Sequence, residues 1–124
     1  MLAGAHVLVV DDDGDICRMV ATVLRGRGAS VVEARSGAAA LVELERSAFG
    51  CVVLDWNLAD TSALALVDAA NKLQPGLKRT VVVMTGDLLA ADEPHAAETQ
   101  GMLVLRKPFR PSVLVDAVAD VLAG

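Results

Sequence analysis

Acids, a hydroxyl and a lysine are scattered along this chain, each just after a short apolar run. VLVV leads into Asp11, Asp12 and Asp13; VVL into Asp55, Trp56 and Asn57; VVVM into Thr85 and Gly86; LVL into Arg106, Lys107 and Pro108. If those runs end at one edge of a sheet, Asp11, Asp12 and Asp55 repel one another, and bare clustering raises at least one carboxyl pKa. A hard divalent cation resolves the repulsion. Mg²⁺ takes a few carboxylates, carbonyls and waters in octahedral geometry and commonly keeps places for water or phosphate oxygens. A carboxylate nucleophile, Mg²⁺, a fixed hydroxyl and a lysine are the parts of a phosphoryl-transfer site, where catalysis is mostly positioning and charge neutralisation.

Each feature has a commonplace structural explanation when taken singly. An acid run after a strand ordinarily caps the next helix, and Asp15 as cap with Asp13 in the turn fits that pattern. A lone Asp after a strand is ordinarily a turn residue, and Lys-Pro a surface turn. Four such features at four strand ends select the chemistry jointly. Gly86, small beside Thr85, leaves room for a phosphoryl group.

The elements that must position these residues follow from periodicity. The apolar runs 7–10, 31–34, 51–54, 81–84 and 103–105 are mostly continuous, as in strands buried on both faces of a parallel sheet. Between them, Ile16, Met19, Val20, Val23 and Leu24 recur at helical spacing, ending at Gly26 and Gly28. Ser36 caps a second helix carrying Leu41, Leu44 and Ala48. Leu66, Val67, Ala70 and Leu73 form a third, stopped by Pro75-Gly76. Pro111 opens a last helix with Leu114, Val118, Val121 and Leu122. The segment 88–100 has little apolar stripe, and Pro94 removes a backbone donor from its middle, which predicts a short or broken helix. The sum is an α/β fold, (βα)₅, a doubly wound parallel five-stranded sheet. Ligands in such sheets bind beyond the carboxyl ends of the strands, where strand order reverses.

The 124 residues fit one domain, 1–124, with an aliphatic core: 54% are apolar, and the aromatics are Trp56, Phe49 and Phe109. A net charge of −5 provides no basic footprint, so no nucleic-acid partner is expected. No basic amphipathic face and no apolar run of roughly 18 residues is present, so no membrane association is expected either. Cys17 and Cys51 have no metal-ligand spacing and read as packing residues in a reducing cytoplasm. The opening MLAGAHVLVV lacks a basic n-region and runs into DDD, unlike a signal peptide. His6 and His95 read as solvent-facing or locally bonded, and Met84 and Met102 as core.

The chain resembles the receiver domains of bacterial response regulators in two-component systems, from VLVVDDDGDICR through VVLDWNL and VVVMTGD to LVLRKPF. The resemblance covers nearly the whole chain and implies a flavodoxin-like sheet of strand order 2-1-3-4-5. It implies Asp55 as phosphoacceptor, Asp12 as a direct Mg²⁺ ligand, Asp11 as a ligand largely through water, and the Asn57 backbone carbonyl as a further ligand. Thr85 becomes the hydroxyl that bonds the phosphoryl group, Lys107 the cation that pairs with it, and Lys107–Pro108 a cis bond. The phosphoryl group comes from the histidine of a kinase or a phosphotransfer domain, and a downstream protein partner reads the result. Such a domain assists its own phosphorylation and dephosphorylation and is not an enzyme in the usual sense. Asp87, two past Thr85, would stand at the mouth of the site and tune water access with Asn57.

This sequence departs from the family in three places. Ala59 and Ala63 stand where a Pro and a Gly are usual, which implies a looser or differently turned loop. Val104 replaces the usual switch aromatic. These departures leave open a module that binds partners without using phosphate. The TGD…LVLRKPF arrangement is similar to receivers at the C-terminus of hybrid histidine kinases, so a stand-alone receiver and a domain of a longer protein both fit. A flavin-binding sheet needs a phosphate cradle where three acids stand, a P-loop needs GxxxxGK[ST], and a haloacid-type phosphatase needs an acid at Asn57; none of these fits.

Overall fold

The computed structural model describes residues 2–86 and 101–124. Five strands form one parallel sheet in the order β2-β1-β3-β4-β5, as expected. They are β1 (His6–Val10), β2 (Ser30–Ala34), β3 (Cys51–Asp55), β4 (Val81–Thr85) and β5 (Leu103–Arg106). The α-helices among the described residues are α1 (Gly14–Arg25), α2 (Gly37–Arg46), α3 (Ala63–Leu73) and α4 (Pro111–Ala123), with a 3₁₀ turn at Leu77–Thr80. The broken helix expected over 88–100, with Pro94 and His95, lies outside the described residues, as does Asp87.

The continuous apolar runs are explained by burial on two faces, since successive strand residues point to opposite sides. Leu8, Val10, Val52, Leu54, Val81 and Val83 pack under α2 and α3, while Val7, Val9, Val53, Val82 and Met84 pack under α1 and α4. Both cysteines, Met84 and Met102 are buried, as expected. Strand β1 pairs with β2 on one side and β3 on the other, so strand order reverses between β1 and β3. The reversal leaves a crevice at their carboxyl ends, where Asp11 follows β1 and Asp55 closes β3.

Local chemistry sets the helix ends, with two corrections to the sequence reading. Asp13 is the N-cap of α1, accepting from the amides of Asp15 and Ile16, while Asp15 lies in the first turn. The carboxylate two residues earlier wins because only an N-cap side chain reaches the free amides two and three residues ahead. Helix α1 ends where Gly28 takes φ +99° and the Ala29 amide reaches back to Leu24 O, a turn that disfavours any side chain at Gly28. Ser36 caps α2 as expected, but the helix stops at Arg46, so its buried face is Gly37, Ala40 and Leu44, without Ala48. Ser62 caps α3, and Pro111 occupies the first turn of α4. Met19, Leu73 and Leu122 are exposed at the margins of their apolar stripes. His6 bonds at long range rather than locally: its Nδ1 lies 3.0 Å from Ala48 O, and its ring packs on Phe49.

Candidate functional site

Three buried residues with polar side chains stand out among the described residues: Asp11, Asp55 and Thr85. All three lie at the carboxyl ends of adjacent strands β1, β3 and β4, a concentration that a packed core has no reason to produce. Asp11 is fully buried, and its Oδ1 accepts the Asp13 amide at 2.9 Å. Asp55 Oδ1 accepts the Asn57 amide in a long contact of 3.4 Å. Lys107 reaches across from the end of β5, its Nζ 3.3 Å from Asp11 Oδ2 and 3.4 Å from Asp55 Oδ1. The Lys107 amide bonds Thr85 O at 2.7 Å, which ties the lysine to the tip of β4. The Lys107–Pro108 bond is cis, in agreement with the sequence expectation.

Asp12 is exposed on the rim. One carboxylate oxygen each from Asp11, Asp12 and Asp55 falls in a group no more than 4.8 Å across. Three carboxylates therefore face one ammonium. Burial first, and the Asp11 charge second, push the Asp55 carboxyl above its ordinary range; Lys107 and the Asn57 amide pull the other way without cancelling them. A hard cation with a preference for oxygen ligands fits this donor set and would relieve the same repulsion. Thr85 Oγ1 is buried with no hydrogen-bond partner among the described residues. A buried hydroxyl without a partner is costly, and Thr85 ends the strand that lies between those leading to Asp55 and Lys107, a place that suits an incoming anion's oxygen.

Gly86 is exposed, and a Cβ there would meet Lys107 at an ordinary 3.7 Å. The loop after Asp55 is tied to its surroundings at two points. The Ala59 amide donates to Asp12 Oδ2 at 3.1 Å, and Asp60 accepts the amides of Gly37 and Ala38, both at 3.0 Å. The Gly37 and Ala38 bonds, in that order, hold the Asp60 carboxyl below its ordinary range. Neither tie was foreseen. The Ala59 donor is a backbone group with no signature in residue type, whereas Asp60 followed by Ser62 before an apolar helix was a readable sign of an ordered turn. Val104 is half-buried in β5 and packs against the core under α2 and α3.

The family model for the response regulator receiver domain matches residues 7–119. The chain belongs to the response regulator receiver domain family. The transcriptional regulatory protein GlrR of Escherichia coli K12 is 32% identical over 119 residues, covering 95% of this receiver domain and 26% of GlrR. The response regulator receiver protein CpdR of Brucella abortus is 27% identical over 117 residues, covering 94% of this chain and 96% of CpdR. The crystal structure of NtrX from Brucella abortus in complex with ATP superposes with a TM-score of 0.88 at 30% identity, covering 99% of this chain and 27% of NtrX. The receiver domain thus spans about a quarter of the length of GlrR. Among the described residues no helix is long and apolar enough to cross a membrane.

Proposed function

We propose that this receiver domain, read as one unit over residues 1–124, accepts a phosphoryl group from a phosphohistidine onto Asp55 and changes its protein partners in response. One observation carries the reading: the buried carboxylate of Asp55 shares a crevice with two further acids, a lysine and a buried hydroxyl that has no partner among the described residues.

Asp11, Asp12 and the Asn57 carbonyl are the groups that would hold Mg²⁺ with Asp55. When bound, the ion supplies charge neutralisation for an incoming phosphoryl group. An Asp55 oxygen attacks phosphorus, the P–N bond to the donor imidazole breaks, and its electron pair stays with the nitrogen, which takes a proton from solvent. An acyl phosphate remains on Asp55. Lys107, already within 3.4 Å of Asp55, exchanges part of its carboxylate pairing for a phosphoryl oxygen. The Thr85 hydroxyl donates to another, which gives that buried group a partner it does not find among the described residues. Hydrolysis by water returns the carboxylate and releases inorganic phosphate, so the domain assists both its own phosphorylation and its own dephosphorylation.

The donor is a histidine kinase or a histidine phosphotransfer domain, and the receiver acts in the cytoplasm. Net charge −5 argues against this domain itself contacting nucleic acid. The test is incubation with Mg²⁺ and a small acyl phosphate, followed by mass mapping. Phosphate on Asp55 is expected. An unmodified Asp55, under conditions that modify another receiver domain, would overturn the reading. Beryllofluoride with Mg²⁺ should also shift the fluorescence of half-buried Trp56, whose amide bonds Met84 O beside the site.

A further inference from the structure

The loop between β3 and α3 meets the acidic crevice through two backbone amides, Asn57 on Asp55 and Ala59 on Asp12. The Ala59 amide donates to Asp12 Oδ2 at 3.1 Å. That is the only hydrogen bond Asp12 makes among the described residues, whereas Asp11 is held by the Asp13 amide and by Lys107. One residue further along, Asp60 bonds the first amides of α2. The loop lies hard against that helix start, since a Cβ on Gly37 would fall 2.4 Å from Thr61 Cγ2. Any residue with a backbone N–H can make the Ala59 contact; proline cannot.

We propose that the Ala59 amide is a positioning group for Asp12: it holds one carboxylate oxygen so that the other is presented to the cation. Through Asp60, the same loop carries the effect of cation binding to the start of α2. This rests on the reading of Asp11, Asp12 and Asp55 as a Mg²⁺ site. An ionised carboxylate has about four lone-pair sites, so the amide bond persists while the second oxygen binds metal. Asp12 is exposed, and an exposed side chain held in place beforehand loses less freedom when it ligates. Hydrogen-bond partners of ligating carboxylates typically change metal affinity by roughly 10–100-fold.

The test titrates Mg²⁺ alone against Trp56 fluorescence in the parent, Ala59→Pro, Ala59→Gly and Ala59→Ser. About tenfold weaker binding is expected for the proline variant, with the glycine and serine variants, which keep the N–H, close to the parent. Far-UV circular dichroism reports whether the proline variant folds. If it does not, amide exchange in the parent decides: Ala59 and Gly37 should exchange more slowly with Mg²⁺ than without. A folded Ala59→Pro that binds Mg²⁺ as tightly as the parent overturns the proposal, as does an Ala59 amide that exchanges freely in saturating Mg²⁺. A parent protein that binds no Mg²⁺ by calorimetry overturns the cation-site reading beneath it, a separate result.

Discussion

Lys107 Nζ stands 3.4 Å from Asp55 Oδ1 while holding Asp11 Oδ2 at 3.3 Å. One ammonium thus spans the carboxylates of β1 and β3 from the end of β5. It is the one cationic partner that either acid has among the described residues, and it leaves the crevice short of positive charge. The consequences are measurable.

Replacing Lys107 by Met leaves Asp11 and Asp55 facing each other uncompensated. In metal-free buffer the variant should lose about 2 kcal/mol. That is less than the roughly 3–5 kcal/mol of a fully enclosed pair, because the lysine is partly solvated. Mg²⁺ should restore part of the loss, since a ligand that binds the native state stabilises it by mass action. Urea unfolding with and without Mg²⁺ checks this. Equal stability of variant and parent without metal would show that the two contacts carry no net weight.

Asp55 makes stability depend on pH in a direction set by its raised carboxyl. Burial and the Asp11 charge hold that carboxyl above its ordinary 3.8, so the folded chain keeps a proton that the unfolded chain has released. Its contribution to stability is complete below the ordinary value and is lost as pH rises through the raised one. In chelator, Asp55→Asn should therefore be more stable than the parent at neutral pH by about 1 kcal/mol. The gap should close toward acid. Denaturation at several pH values tests the sign, and a gap that does not change with pH contradicts it.

Thr85 separates stability from function. Valine matches its shape and removes a buried hydroxyl that has no partner among the described residues, so Thr85→Val should change stability by only about 0–1 kcal/mol, in the stabilising direction. The same variant should respond more weakly to beryllofluoride and Mg²⁺ by Trp56 fluorescence, while Thr85→Ser retains the response. A marked loss of stability in the valine variant would mean that the hydroxyl is bonded.

Gln74 does the reverse, at the opposite end of the sheet. Its Nε2 donates to Leu44 O at 2.9 Å and Ser47 O at 2.6 Å, and its Oε1 accepts the Phe49 amide at 2.9 Å. One side chain joins the ends of α2 and α3 to the entry of β3. Gln74→Ala should cost about 2–3 kcal/mol, because three backbone groups lose their partner together. Phosphorylation of Asp55 should proceed at the parent rate wherever both proteins are folded. A changed rate would tie this end of the domain to the site.

The strands were readable because burial on both faces leaves no polar alternation, and the residue after each run announces the edge where the chemistry collects. Helices were readable from their stripes, though not to their ends: Asp13 caps where Asp15 was expected, and α2 stops at Arg46, short of Ala48. Residue type was enough to nominate Asp11, Asp12, Asp55, Thr85 and Lys107, because few side chains can serve as hard-metal ligand, nucleophile, hydroxyl donor or cation.

The pairings were not readable. Lys107 meets Asp11 across 96 positions, Asp12 meets Ala59 across 47, and Gln74 meets Ser47 across 27. Which oxygen faces which donor follows from strand register and loop path, and a backbone amide leaves no mark in the alphabet of side chains. The loop after Asp55 shows this most clearly. Alanines at 59 and 63 imply a looser or differently turned loop when read in order, and folding brings the Ala59 amide to Asp12 and Asp60 to the start of α2. Composition set what the crevice can do; packing over long separations set how firmly each part of it is held.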